Sequence, residues 1–308
     1  MARIFIIAIF ASVFIFAEPY QSDDFLLPGE AMATGLGGMR IVQNWEGLTA
    51  AVNPAVLTEV NSPVVSASGG SFFENLVSGA RCGVVFGEKI KYGVAVSHIG
   101  GCGIQMTDLQ NPDEPLSADN RPIVVGEGSH YTISVDFGAA KKFLADENLS
   151  IGVSGKGVRK SLPDLSAWGF SLSAGALWRP ISNFDVALFA ENISTYQLFW
   201  NDGVREMALP KFGAGAMYGM KLSNTIFIRF GAESEYSTDD GPGDVRAGIV
   251  GTYGNVISFA IGTASGALCS GAELKFKNFK IGAAIDYRSM LGKSYSFSIS
   301  YSPALSEN

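Results

Sequence analysis

The segment 294–301 alternates strictly between serine and large apolar side chains. Its four even positions are all Ser, and its odd positions are Tyr, Phe, Ile and Tyr. Because successive side chains of a β-strand point to opposite faces, this pattern predicts a strand with one polar and one apolar face. The same two-residue period recurs in the segments 131–138, 168–175 and 226–233. We therefore expect an all-β chain whose strands each carry one apolar face.

The number of candidate strands and the lengths of their connections suggest where those apolar faces lie. We predict strands at 63–74, 78–87, 90–99, 130–140, 147–158, 166–178, 183–196, 207–221, 225–236, 244–253, 256–264, 270–277, 279–288 and 294–302. An even strand number, with tight turns at one end and longer loops at the other, is typical of outer-membrane barrels. The longer loops are expected at 100–129, 198–206 and 237–243. We predict an all-β fold, a transmembrane antiparallel β-barrel of about 14 strands with a small N-terminal plug.

A soluble sandwich shows the same alternation, so the period alone does not separate lipid from a soluble core as the destination of the apolar face. Composition favours the membrane. Only 17% of the residues are charged, against about 25% in a typical soluble domain. After residue 17 no run of 18 apolar residues occurs, which argues against helical membrane spans. The net charge of −7 argues against nucleic acid as a partner.

The first seventeen residues have the layout of a cleavable secretory signal peptide. Arg3 is followed by an apolar run over residues 4–16 and by the small residue Ala17, as such signals require. We expect residues 1–17 to be removed on export to the outer membrane of a Gram-negative bacterium. The remaining divisions are a plug or hatch segment at 18–61, the barrel at 62–303 and a tail at 304–308.

The predicted plug segment lacks alternation and contains two groups of turn-forming residues. Gly35, Gly37 and Gly38 allow positive φ angles and close packing against a wall. Asn53 and Pro54 favour a sharp turn into a short helix, with Asn as its cap and Pro in its first turn. These five residues form the predicted plug motif, which would fold into the barrel mouth as a hatch. The alternative is a periplasmic arm with ordinary turns.

Several short motifs carry a family resemblance over nearly the whole mature chain. They are ATGLGGM at 33–39, NPAVL at 53–57, ALWRP at 176–180, ENI at 191–193, ALPKFG at 208–213 and the ending LGKSYSFSISY at 291–301. In order and spacing they resemble the PorV/PorQ-type outer-membrane proteins, which are related to the long-chain fatty-acid transporter (FadL-like) barrels. The resemblance implies a barrel with an N-terminal hatch. It also implies a role in type IX-like protein secretion and surface attachment, with exported proteins or secretion-machinery subunits as partners.

The residues do not favour an enzyme. Only His98 and His130 are available as imidazole bases, and no G-x-S-x-G element is present. The three Cys and two His lack the spacing of a metal site, so we expect no catalytic residues, metal or cofactor. Whether two of Cys82, Cys102 and Cys269 form a disulfide stays open, because an oxidising compartment permits it but the number is odd.

Charged residues that alternate with the apolar face are expected to line the barrel lumen. The candidates are Arg81, Lys91, Arg229, Glu233, Arg246, Glu273, Lys275, Asp286 and Arg288. Mutual pairing inside a plugged, wet barrel would explain them. A substrate path is the alternative.

Two functions from different classes follow. The first, implied by the resemblance, is an accessory component of protein secretion that binds exported proteins through its outer loops. The second is a passive transporter for hydrophobic small molecules such as fatty acids. A closed, charged lumen under large ordered outer loops would favour secretion, whereas a gap in the wall or a wide apolar lumen would favour transport. Outer-membrane lipid is an expected partner in both cases.

Overall fold

The structure, a computed structural model, describes residues 18–19, 29–143, 146–194, 196–238, 241–264, 266–289 and 291–303; the side chains of residues 196, 242 and 244 are not described. The predicted signal peptide (1–17) and tail (304–308) lie outside the described residues. Among the described residues, no helix is both long enough and apolar enough to cross a membrane.

Fourteen strands form one closed antiparallel sheet. They are β2 (Val64–Phe72), β3 (Val77–Phe86), β4 (Ile90–Leu109), β5 (Pro122–Phe143), β6 (Leu149–Ser161), β7 (Ser166–Ile181), β8 (Phe184–Glu191), β11 (Lys211–Lys221), β12 (Ile226–Ser237), β13 (Gly241–Tyr253), β14 (Ile257–Ala264), β15 (Ala267–Phe276), β16 (Phe279–Arg288) and β17 (Gly292–Tyr301). Each pairs with its neighbour in chain order, β8 pairs with β11, and β17 pairs with β2 from Tyr295↔Ser71 to Tyr301↔Val65. The predicted closed barrel is confirmed.

Two short strands extend the wall beside β8 and β11. β9 (Tyr196–Trp200) continues β8 after a break at 192–195, and β10 (Arg205–Ala208) precedes β11 across a break at 209–210. β9 pairs with both β7 and β10. A further strand, β1 (Glu18–Pro19), pairs in parallel with β10. We call the end of the barrel that carries the 110–121 and 201–204 connections the outer end, and the opposite end the inner end.

The apolar faces of the strands point away from the barrel axis. In β17, Phe297 is 63% exposed, whereas the neighbouring Ser296 is 1% exposed. The same alternation of exposed apolar and buried small or polar residues runs along β14 and β16. A soluble sandwich would bury its apolar face. An apolar outer belt over a polar interior is instead the arrangement of a transmembrane barrel.

The outer loops differ from the prediction. Residues 100–129 were expected to form a loop, but β4 and β5 continue through most of this range and pair as far as Leu109↔Pro122. The extension lacks clean alternation because both of its faces are exposed near its tip. Without a lipid face or a packed face to select apolar residues, a strand leaves no two-residue period in the sequence. Likewise, β9 and β10 occupy most of the expected loop 198–206.

Trp200 also departs from its expected place. As an aromatic residue near a strand end, it is predicted to lie at the membrane interface, but its side chain points inward and is 9% exposed. Because β9 begins anew after the break that follows β8, the side chains of Leu198 and Trp200 point to the inner face, where both are buried.

Residues 29–61, called the N-terminal segment, run through the inside of the barrel. The segment contains one helical turn, α1 (Ala31–Gly35), and two 3₁₀ helices at Glu46–Ala51 and Pro54–Glu59. The Glu30 carboxylate caps α1 by accepting from the backbone N–H groups of Met32 and Ala33. Most of the segment is buried, because the barrel wall surrounds it.

Candidate functional site in the barrel lumen

The N-terminal segment packs against small inward-facing residues of the wall. A Cβ added to Gly175 would lie 1.7 Å from Asn53 Oδ1, and one added to Gly262 would lie 2.4 Å from the carbonyl carbon of Leu36. Only a residue without a side chain permits so close an approach of the two chains. Further contacts of this kind involve Gly83, Gly93, Gly138, Gly152, Gly213, Gly248, Gly271 and Gly282. The contacts extend around the circumference, so the segment lies across the lumen at this level.

The five residues of the predicted motif lie at points where the chain turns or touches the wall. Gly37 and Gly38 have φ angles of 79°. Gly35 faces the backbone of Gly271, which a Cβ would approach to 2.7 Å. Asn53 caps the second 3₁₀ helix, with Pro54 in its first turn.

Asn53 also joins the segment to the wall. Its Nδ2 donates to the carbonyl oxygen of Ile41 at 2.7 Å and to that of Leu188 in β8 at 3.2 Å. Its Oδ1 accepts from the N–H of Ala55 at 3.1 Å. One buried amide therefore holds two parts of the N-terminal segment and one strand together.

The most buried ionic group centres on Arg40, and we call it the Arg40 cluster: Arg40, Glu191, Glu233, Glu235 and Arg246. The Arg40 guanidinium contacts Glu191 at 2.9 Å and binds Glu235 with two nitrogens, at 2.7 and 2.9 Å. The backbone N–H groups of Arg40 and Ile41 both donate to the carboxylate of Glu233. Arg246 contacts Glu233 at 3.2 Å and Glu235 at 2.5 Å. The cluster thus fixes the N-terminal segment to β8 and β12.

The charges of the Arg40 cluster continue across the lumen. Lys156 of β6 contacts Glu191 at 3.3 Å and Asp136 of β5 at 4.0 Å. The Arg81 guanidinium lies 5.5 Å from the ring centre of Trp45, and Asp136 acts on it electrostatically. Four cations therefore face four carboxylates. Such a balance is needed where charges are removed from bulk water.

Three further ionic contacts, made by two carboxylates, hold the inner side of the N-terminal segment. Glu46 pairs with Lys280 of β16. Glu59 contacts Arg179 of β7 at 2.7 Å and Lys142 of β5 at 3.2 Å. Because these partners lie on strands far apart around the barrel, the segment is tethered on opposite sides.

Burial, helped by the nearby carboxylate of Glu273, raises the pKa of the Glu30 carboxyl to about 7. The Glu30 carboxyl also lies 3.3 Å from Ser298 Oγ of β17. The cap of α1 therefore takes up a proton close to neutral pH, since its ionised form is disfavoured inside the barrel.

Two polar cavities lie on the inner side of the segment. One of about 140 Å³ is bounded by Glu30, Gln43, Arg229 and Glu273, among others. The other, of about 890 Å³, opens between the turns near Asn224 and Asn255. The cavities share Arg229, Glu273 and Lys280, so together they form a charged inner mouth.

An apolar group lines the outer half of the lumen, and we call it the outer-lumen cluster: Val158, Leu162, Ala167, Leu198, Trp200 and Ala208. These residues come from β6, β7, β9 and β10 and from the connection after β6. None of them belongs to the N-terminal segment. On the side of β6, β7, β9 and β10 the inward face of the wall therefore changes from ionic near Arg40 to mainly apolar towards the outer end.

The nine charged residues expected to line the lumen are placed as follows. Glu233 and Arg246 belong to the Arg40 cluster, and Arg81 lies beside it. Arg229, Glu273 and Lys275 border the larger inner cavity. Lys91 donates to Ser62 Oγ, and Arg288 contacts Asp286 at 3.4 Å. All nine lie at inward-facing positions of their strands, but they form separate groups.

Sequence reasoning missed the centre of the Arg40 cluster. Arg40 lies in a segment without periodicity, so nothing marked it as a ligand of barrel carboxylates. Asp136, Lys156, Glu191 and Glu235 lie on the inward phase of strands that were predicted, and the two-residue period would have identified them as lumen residues.

The histidines and cysteines do not form a site. His98 points outward, and His130 has a buried Nδ1 without a partner. All three cysteines are free; Cys82 and Cys102 are exposed and Cys269 is buried. Within the described ranges, no group of three or more His, Cys, Asp or Glu residues could hold a metal ion.

Comparison with known proteins gives the fold a context. No protein-family model matches the sequence, and no curated protein does. Solved structures do match. The toluene transporter TbuX of Ralstonia pickettii is 12% identical, with a TM-score of 0.60 over 90% of this chain and 98% of its own. The toluene transporter TodX of P. putida is 12% identical, with a TM-score of 0.61 over the same shares.

A FadL homologue of Pseudomonas aeruginosa is also similar, at 11% identity and a TM-score of 0.53 over 91% of this chain and 100% of its own. At such identities the likeness concerns the fold. The matching structures support the predicted FadL-like barrel, but they do not show the PorV/PorQ-type family. The chain has the fold of a FadL-like outer-membrane β-barrel.

Proposed function

We propose that this protein is a passive outer-membrane transporter for hydrophobic small molecules, with the N-terminal segment as its plug. The observation that carries the proposal is the likeness of the whole barrel to the toluene transporters TbuX and TodX, although the closed, charged level of the lumen is the arrangement expected for secretion. The segment contacts the wall around its circumference and is held by ion pairs on opposite sides. A general porin keeps a water-filled channel. A segment that lies across the lumen would obstruct such a channel. A plugged barrel instead suits a selective substrate.

The outer-lumen cluster supports an apolar substrate. Small-molecule sites are mostly apolar, with a few polar groups that fix orientation. A molecule that enters from the outer end would meet Leu198 and Trp200 before it reaches the Arg40 cluster. The similar folds of TodX and TbuX, whose names describe toluene transporters, agree with this direction. The protein would bind and pass its substrate without chemical conversion, as a non-enzyme.

Uptake measurements with a locked N-terminal segment test this function. Thr34 Oγ1 and Ser296 Oγ of β17 lie 3.1 Å apart, so the side chains at these two positions meet and cysteines there are placed to form a disulfide, which loss of the free thiols would verify. Thr34→Cys with Ser296→Cys should be made in a variant whose three native cysteines are serine. It would be expressed in a Gram-negative host that lacks its own transporter for hydrophobic compounds.

We expect the unlocked protein to increase uptake of a labelled alkylbenzene or fatty acid. The oxidised double variant should lose that increase and regain it on reduction. The single variant Thr34→Cys is the matched control, because it changes the same side chain without a cross-link. If no labelled hydrophobic compound enters faster than in the empty host, the transporter proposal is wrong.

A second candidate, the PorV/PorQ-type secretion accessory, is favoured by the closed, charged lumen and by the long outer hairpin. The hairpin of β4 and β5 is 20 and 22 residues long, about twice the 9 to 11 residues that a membrane crossing needs. It offers an ordered surface beyond the membrane for an exported protein. Purification from the native membrane, followed by mass spectrometry, tests this candidate. Recovery of large secreted proteins that is lost when residues 104–125 are replaced by a short turn would support it.

A further inference from the structure

Two buried polar atoms lie at the outer-lumen cluster, one in its member Trp200 and one in Glu206 on the neighbouring strand β10. Trp200 Nε1 and Glu206 Oε2 are both inaccessible to solvent, and neither has a hydrogen-bond partner in the described part of the chain. Burial of such groups without a partner is costly, and native proteins rarely retain them without a reason. Two orphan atoms on one hairpin therefore indicate a place where a bound molecule completes the hydrogen bonds.

The hairpin of β9 and β10 brings these two groups together. Glu206 pairs directly with Leu198, and Trp200 lies two residues further along β9. Side chains with this relation lie on the same face of the sheet as diagonal neighbours, about 7–8 Å apart. Leu198 is 1% exposed and belongs to the outer-lumen cluster, so the shared face is the lumen face.

The chemistry of the two groups restricts the ligand. The Trp indole N–H only donates, and an ionised carboxylate only accepts. A hydroxyl group satisfies both at once, because its oxygen accepts from Trp200 and its hydrogen is donated to Glu206. A plain hydrocarbon leaves both atoms unpaired. A ligand carboxylate would be repelled by Glu206, and an ammonium group has no lone pair for the indole N–H.

We infer that the outer half of the lumen binds an apolar molecule that carries a neutral hydroxyl group, held between Trp200 and Glu206 with its apolar body against Leu198, Val158 and Ala167. This inference rests on the proposed transport function and names its substrate class. It separates hydroxylated compounds from both hydrocarbons and fatty acids.

Binding of three compounds of one shape tests the inference. The full chain is reconstituted in nanodiscs, and equilibrium dialysis is performed with labelled para-cresol, toluene and 4-methylbenzoate. We expect para-cresol to bind about tenfold more tightly than toluene, as two modest hydrogen bonds would give, and 4-methylbenzoate to bind least.

Two variants test whether Trp200 and Glu206 cause the preference for para-cresol over toluene. Trp200→Phe keeps an aromatic ring without the N–H, and Glu206→Gln replaces the carboxylate. Each should reduce the cresol preference to about threefold or less. Trp168→Phe is the matched control, because Trp168 lies on the outward face beside Phe199 and should keep the full preference. Heat-dependent gel mobility reports whether each variant still forms the barrel.

The outcomes separate this inference from the proposed function. Equal affinity for para-cresol and toluene in the unaltered protein would overturn the hydroxyl site even if both compounds are taken up. The same holds if Trp200→Phe, still folded, keeps the full preference. Absence of binding of all three compounds would also overturn the hydroxyl site, whereas the transporter proposal on which the inference rests is overturned only if no labelled hydrophobic compound, fatty acids included, enters faster than in the empty host.

Discussion

Arg40→Met is expected to loosen the N-terminal segment while the barrel itself stays folded. Arg40 is 4% exposed and pairs with Glu191 and Glu235. Removal of one partner from a buried ion pair costs about 3–5 kcal/mol, because the other charge is left without compensation. Here Glu191 keeps Lys156, and Glu235 keeps Arg246. We therefore expect a loss near the lower limit, about 3 kcal/mol.

Two measurements separate the loss of stability of the whole chain from the loosening of the N-terminal segment in the lumen. Urea unfolding in lipid vesicles reports the stability of the whole chain. Single-channel recording in planar bilayers reports the lumen, and Arg40→Met should conduct ions in longer and more frequent openings than the unaltered protein. Arg40→Lys should be intermediate, because a Lys ammonium cannot bind a carboxylate through two nitrogens as a guanidinium does.

Arg121→Met provides the matched control. Arg121 is exposed in the outer loop, where its Nε donates to the backbone carbonyl of Ala118, so its removal should leave both measurements unchanged. The reasoning is refuted if Arg40→Met stays within about 0.5 kcal/mol of the unaltered protein, the range of ordinary surface substitutions, and also conducts no better. In that case the cluster would not hold the segment.

Three other substitutions or labelling experiments test the arrangement. Gly175→Val places a side chain where Asn53 lies and should cost about 1–3 kcal/mol in urea unfolding; unchanged stability would mean that the segment is not against β7. Phe297→Arg, at a position 63% exposed to the expected lipid, should cost about 2–4 kcal/mol in vesicles if it lies near the midplane, and a neutral effect would contradict the outward apolar belt. On intact cells a membrane-impermeant maleimide should label the exposed Cys102 but not the buried Cys269; the reverse order would contradict the orientation of the barrel.

Much of the fold was accessible from the sequence because local rules govern it. The two-residue period identified the strand ending at Tyr301, and turn residues such as Asn278, between β15 and β16, marked where one strand ends and the next begins. Each choice depended on side chains only a few residues apart. The extension of β4 and β5 was missed for the same reason, since strands exposed on both faces leave no period.

The Arg40 cluster was harder to predict from the sequence, because its residues lie far apart in the chain. Arg40 and Glu235 are 195 residues apart, and no local pattern links them. Sequence alone marked Glu233 and Arg246 as inward-facing but gave no reason to group them with Arg40. Trp200 was assigned to the membrane interface because its inward direction depends on the break at 192–195, which turn propensities did not reveal.

What the sequence by itself determined is the alternation, the approximate strand boundaries and the even strand number, since these follow from backbone geometry and neighbouring side chains. Only the tertiary structure decided that the apolar face points outward, because a soluble core and lipid select the same period. It also decided that β17 closes on β2 and that the N-terminal segment lies within the wall. Those arrangements depend on pairings and charges between residues far apart in the chain, and such contacts exist only once the barrel has closed.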